Sequence, residues 1–206
     1  MNKPLAALIF ATIGTLSTIA GNAVAQETPW LVRARAVNLD MANKSDAIGG
    51  TGASDRLTVS DKTIAEFDVS YFFTKNWAAE LVLTYPQKHD VMLDGQNIGT
   101  LKHLPPTLLL QYHFALDSPV KPYVGAGLNY TVFSKVKLLD GGAGLEHDSV
   151  GLALQAGADY AIDKNWSLNF DIKKVQIRSD VYVGGAKASR VKADPLMLGV
   201  GVGYRF

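Results

Sequence analysis

Apolar positions alternate with small or polar ones through residues 196–206: Leu196, Leu198, Val200, Val202, Tyr204 and Phe206 on one face, Met197, Gly199, Gly201, Gly203 and Arg205 on the other. A period of two is the signature of a β-strand with one greasy face. Seven more segments carry it. Residues 30–37 set Trp30, Val32, Ala34 and Ala36 against Leu31, Arg33, Arg35 and Val37; residues 63–71 set Ala65, Phe67, Val69 and Tyr71 against Ile64, Glu66, Asp68 and Ser70. Residues 77–85 oppose Trp77, Ala79, Leu81, Leu83 and Tyr85 to Ala78, Glu80, Val82 and Thr84, and residues 107–114 oppose Leu108, Leu110, Tyr112 and Phe114 to Thr107, Leu109, Gln111 and His113. The fifth segment, residues 123–133, has Val124, Ala126, Leu128, Tyr130 and Val132 across from Gly125, Gly127, Asn129 and Thr131. The sixth, residues 149–160, faces out with Val150, Leu152, Leu154, Ala156, Ala158 and Tyr160. The seventh shows Trp166, Leu168, Phe170 and Ile172 outward and Asn169, Asp171 and Lys173 inward. After Lys173-Lys174 the alternation reads as slipping by one at Val175 and Ile177, the mark of a bulge.

The connections alternate in length. Thr74-Lys75-Asn76, Asp117-Ser118-Pro119 and Asp163-Lys164-Asn165 are tight turns, whereas polar, glycine-rich loops fill residues 40–61, 86–106 and 134–148 and a last loop carries Gly184 and Gly185. This is the plan of an all-β, eight-stranded antiparallel transmembrane barrel, with short turns in the periplasm and long loops outside. Aromatics gather toward the short-turn ends as an interfacial girdle: Trp30, Tyr71, Trp77, Phe114, Tyr123, Tyr160, Trp166, Tyr204 and Phe206. A secreted sandwich would bury such aromatics in a core, but it fits poorly with charges at mid-strand on the polar face.

The N-terminus agrees with export. Lys3, an apolar stretch over residues 5–20 and Ala23-Val24-Ala25 read as a signal peptide of residues 1–25, cut after Ala25, leaving residues 26–206 as a barrel domain of the bacterial outer membrane. No later apolar run approaches the ~20 residues of a spanning helix. There is no cysteine, so no disulfide holds the fold. Nineteen acidic residues nearly balance twenty basic ones without a basic block, which argues against nucleic acid. The partners implied are outer-membrane lipid and lipopolysaccharide, the barrel assembly machinery through the closing strand that ends on Phe206, and small hydrophobic solutes.

The interior of an eight-stranded barrel is just wide enough for side chains to fill it. Alternation places Arg33, Arg35, Glu66, Asp68, Glu80, Asp171 and Lys173 there, and buried charges must pair. They form either a polar plug or the lining of a narrow pore; inward Leu31, Val37, Val82 and Leu109 add a greasy constriction. Gly125, Gly127, Gly199, Gly201 and Gly203 make room for larger neighbours, and with no helix after them they are no dinucleotide loop. For a lipid-modifying enzyme the local candidate is His147-Asp148-Ser149, with His89-Asp90 elsewhere, but Asp148 points away from its neighbours in an extended segment. His89, His103 and His147 are scattered over loops without ligand spacing, so neither a metal nor a cofactor is expected.

Leu104-Pro105-Pro106-Thr107-Leu108, the stretch from Pro122 to Tyr130, Asp194-Pro195, the closing Gly203-Tyr204-Arg205-Phe206, and the strand starts Asn76-Trp77 and Asn165-Trp166 together resemble the outer membrane protein W (OmpW) family over nearly the whole mature chain. The resemblance implies an eight-stranded barrel with a long narrow interior for small hydrophobic molecules, with channel activity, stress-linked expression and receptor use by bacteriocins or phage among its members. Charges on the inner face argue against a greasy conduit from end to end. A hydrophobic vestibule near the outer loops, ending on a polar plug, reconciles the two, with release through the wall where Pro195 removes a ladder donor. A structural or surface-interaction barrel without transport is the alternative.

Overall fold

The computed structural model describes residues 28–206; the signal peptide expected over residues 1–25 lies outside the described residues. Eight strands build the wall: β1 (Trp30–Asp40), β2 (Lys62–Phe72), β3 (Trp77–Thr84), β4 (Thr107–His113), β5 (Val120–Leu138), β6 (Asp148–Ala161), β7 (Trp166–Val175) and β8 (Leu196–Arg205). Each pairs antiparallel with the next, and β8 pairs with β1 from Leu31↔Arg205 to Asp40↔Leu196, closing the sheet. Closure satisfies the backbone within the wall itself, as a hydrocarbon surrounding requires.

The outer face matches lipid rather than water. Val150, Leu152 and Leu154 are 70%, 58% and 62% exposed in a row along β6, a stripe no water-soluble wall would display. At the short-turn end, Trp30 packs edge-on against Tyr71 at 4.8 Å, Trp77 against Tyr112 at 5.1 Å and Trp166 against Tyr204 at 4.9 Å, with Phe206 on Tyr204. Tyr160 and Phe114 are exposed at the same end. Tyr123 does not belong to this girdle. It is 1% exposed and points into the barrel, because it shares the parity of Gly125 and Gly127 on β5.

The two turns that echo each other in sequence do the same work. Thr74 Oγ1 and Asp163 Oδ1 accept from the N–H of Trp77 (2.9 Å) and Trp166 (2.7 Å). Asn76 and Asn165 each donate a side-chain N–H across to a neighbouring strand end, His113 O and Arg205 O, both at 2.7 Å.

At the other end the segments expected as long loops are largely strands. Gln87–Leu93 and Gln96–Leu104 form a hairpin turned by Asp94-Gly95, both at positive φ (50° and 79°). Arg178–Val183 and Ala186–Lys192 form a second, turned by Gly184-Gly185 (58° and 82°). Positive φ at both central residues is the two-residue turn that suits strand twist. β5 runs on to Leu138. These extensions carry the barrel wall beyond the lipid-facing band, and their inner faces are largely apolar, with Val91, Leu101, Leu138 and Val181 all buried beside a few polar side chains. The bulge expected after Lys173-Lys174 is absent. Val175 and Ile177 stay on the inward face of Asp171 and Lys173; what changes there is the chemistry of the face, from ionic to greasy, and the register shift falls higher, between Val181 and Tyr182.

Candidate functional site

Two layers fill the interior. The lower is a closed ionic network centred on β1. Register sets Arg33 beside Asp68 and Gly203, and Arg35 beside Glu66 and Gly201. The glycines of β8 are the space into which the arginines fold: a Cβ on Gly201 would sit 2.1 Å from Ala34 O and 2.7 Å from Arg35 Cα. Gly157 likewise clears room for the Tyr123 ring, which would lie 2.4 Å from a Cβ there.

Arg33 meets Asp159 with two bonds, at 2.7 and 3.1 Å, and reaches Ser70 at 3.1 Å, Asp68 at 3.3 Å and Glu80 at 3.4 Å. Arg35 contacts Asp68 at 2.5 Å, Glu66 at 3.0 Å, Glu80 at 3.1 Å and Asp171 at 3.4 Å. Lys173 Nζ donates to Glu66 and Asp171, both at 2.7 Å. Neutral groups complete the layer: Tyr123 donates its hydroxyl to Asp171 at 2.9 Å, Gln155 donates to Asp171 and Glu80, and Asn169 donates to Asp159. Three cations thus face five carboxylates, and every strand but β8 contributes a side chain. Buried charges at such distances hold one another; removing one partner from a buried pair costs about 3–5 kcal/mol.

All seven charged residues expected inside are in this layer. Asp159, Gln155 and Tyr123 join them without having been expected in the lumen, although Asp159 and Gln155 share a parity on β6 opposite to the outward Ala158 and Leu154. Val37, Val82 and Leu109 form the apolar floor above the network with Leu39, Val175 and Met197. Leu31 is not part of that floor; it lines the cleft at the short-turn end. Between floor and network lies a gap of about 10 Å³, room for about one water at most.

Above the floor is a chamber of about 120 Å³ walled by Leu57, Val59, Leu101, Phe133, Ile177 and Val181 among others. One polar ring enters its wall, His103, and it meets the ring of His89 at a tilt of 37°, with centroids 4.7 Å apart. The hairpin thus joins two histidines that stand far apart in the sequence and read there as unrelated. Both lie beyond the lipid-facing band. Burial lowers His103 to about 3, helped by His89 and Lys62, and lowers His89 too. His147 and Asp148 stand exposed, while Ser149 Oγ accepts from the Arg178 N–H at 3.0 Å, so the structure does not assemble them into a triad. Among the described residues no group of three or more His, Cys, Asp or Glu is placed to hold a metal ion.

Comparison with known proteins follows the same outline. A family model described as the OmpW family matches residues 26–206. The uncharacterized outer-membrane protein y4mB of Sinorhizobium fredii is 43% identical, covering 87% of this chain and 80% of that one. Outer membrane protein W of Escherichia coli K12 is 32% identical over 97% and 99%. The crystal structure of the outer membrane protein OprG from Pseudomonas aeruginosa superposes with a TM-score of 0.76 at 27% identity, over 87% and 97% of the two chains. An eight-stranded barrel with this match along its length is an outer-membrane protein, and the chain belongs to the OmpW family.

Proposed function

We propose that this barrel takes small hydrophobic molecules from outside the cell into its upper chamber and passes them on through the wall. The observation that carries the reading is the abrupt change inside the barrel, from an apolar chamber to an ionic layer that spans its width. Apolar cavities of ~150 Å³ admit a single benzene ring, so a chamber of about 120 Å³ suits solutes of that order. An apolar molecule gains nothing from parting the charge-assisted bonds below it, since it cannot replace them. Sideways exit meets less resistance. Prolines flank the floor: Pro195 precedes β8, with its carbonyl accepting from Val175 N–H at 3.2 Å, and Pro105 precedes β4. Neither has an N–H to give to a ladder. No bond is made or broken in the passenger.

The test is the rate at which cells take up toluene when their outer membrane carries this protein and when it does not. A several-fold faster rate with the protein supports transport. Equal rates overturn it and leave a barrel whose work is done by its surface.

A further inference from the structure

Three polar side chains stand together on the inward face of the first hairpin, and one of them, His103, lines the chamber. Gln87 is 0% exposed, His89 1% and His103 2%. Gln87 and His103 are cross-strand partners, and His89 is one same-face step beyond Gln87. Each keeps one buried atom without a protein partner: Gln87 Oε1, His89 Nε2 and His103 Nε2. Buried polar atoms are almost always bonded, so three adjoining exceptions need a reason.

The surroundings decide what two of those atoms are. Gln87 donates its amide N–H to Tyr85 O at 2.9 Å, which leaves its carbonyl oxygen as the free atom. The Ser60 carbonyl can only accept, so the 2.7 Å contact with His89 puts the proton on Nδ1 and leaves Nε2 a bare lone pair. Two fixed acceptors side by side call for a donor. Burial keeps the imidazoles neutral in ordinary conditions, as the low value for His103 indicates, so neither gains a second N–H, and the one that neutral His103 carries does not reach these two acceptors. A divalent cation is poorly matched: the cluster offers no carboxylate to offset its charge within an apolar wall. A neutral hydroxyl matches both the lone pairs and the greasy space that His103 borders.

We propose that Gln87, His89 and His103 form a polar subsite that accepts a hydrogen bond from the hydroxyl of an amphiphile whose apolar body occupies the chamber, so that alcohols and phenols are favoured over hydrocarbons of the same shape. This rests on the chamber being a binding site for small hydrophobic molecules.

The test compares p-cresol with p-xylene, which differ by a hydroxyl in place of a methyl group. Binding of each radiolabelled compound to the full-length barrel in lipid nanodiscs is measured at neutral pH and expressed relative to that compound's own partition into empty nanodiscs, which removes the difference in hydrophobicity between the two. The expected result is that p-cresol binds about tenfold more tightly, the yield of one net hydrogen bond. The His103→Leu variant should bring that ratio to about one. In protein carrying ¹⁵N-labelled imidazoles, p-cresol should also shift the His89 Nε2 resonance, and p-xylene should not. That measurement needs no variant to fold. Equal binding of the two compounds to the unmodified protein, or a ratio that survives in His103→Leu, overturns the subsite and leaves the chamber intact. Binding of neither compound overturns the subsite and the chamber reading together.

Discussion

Replacing Lys173 by Met removes one of three cations from a layer with five carboxylates. Counted as fully ionised, the layer passes from a formal charge of −2 to −3. Glu66 and Asp171 each lose a 2.7 Å bond. Neither is left bare, since Arg35 touches them at 3.0 and 3.4 Å, so the loss belongs at the low end of the range for a broken buried pair, about 3 kcal/mol. The double variant Lys173→Met/Glu66→Gln returns the layer to −2 with a shape close to the original. It should regain at least half of that loss, a coupling energy of about 1.5 kcal/mol or more. The assay is reversible urea unfolding in lipid vesicles followed by fluorescence, because Trp30, Trp77 and Trp166 all sit at the exposed end of the wall and report its insertion. A Lys173→Met variant within about 0.5 kcal/mol of the parent, or a double variant no better than the single one, would refute the view that the layer is held by balanced charge.

Two further outcomes follow from the geometry. Gly201→Ala puts a Cβ against the backbone of β1, where no rotamer can relieve it; the barrel should lose at least about 1–3 kcal/mol, seen as a lower temperature at which it gives up its folded mobility in detergent gels. His103 gives a pH signature. Its folded value near 3 lies below the ordinary imidazole value of 6.5, so folding favours the neutral ring. Its contribution is complete above about pH 6.5 and is lost as the pH falls toward 3, by about 1.4 kcal/mol per unit, or about 2 kcal/mol by pH 5. Urea midpoints at pH 7.5 and 5 should therefore differ less in His103→Phe than in the parent, and an unchanged difference would show that the ring is not held neutral.

The wall is legible in the sequence because lipid outside and a crowded lumen inside impose a strict period of two, and that same parity alone assigns Arg33, Glu80 and Lys173 to the interior. Elsewhere a second kind of information is needed. Residue type groups Tyr123 with the girdle, although its parity with Gly125 points inward; the deciding feature is Gly157 on the adjacent strand, which leaves a slot for the ring. The upper hairpins read as loops because their outward faces are polar, yet Asp94-Gly95 between alternating segments is a turn signal that reveals the first of them. The pairing of His89 with His103 is not legible in the same way. It depends on the register of that hairpin, including its shift between Val91 and Met92, which composition does not encode.

In a closed barrel, the joint between first and last strand is the one place where neighbouring strands belong to opposite ends of the chain. Here β1 does more than lie beside β8: Arg35 extends to Asp171 on β7, and Arg33 to Asp159 on β6, two and three strands past the joint. Prising β1 from β8 would therefore mean stretching bolts that run across the bore as well as undoing a ladder. A hoop fastened across its own diameter keeps both lips of its seam from peeling, and so denies a neighbouring barrel the free strand edge on which exchange or fusion of walls would begin.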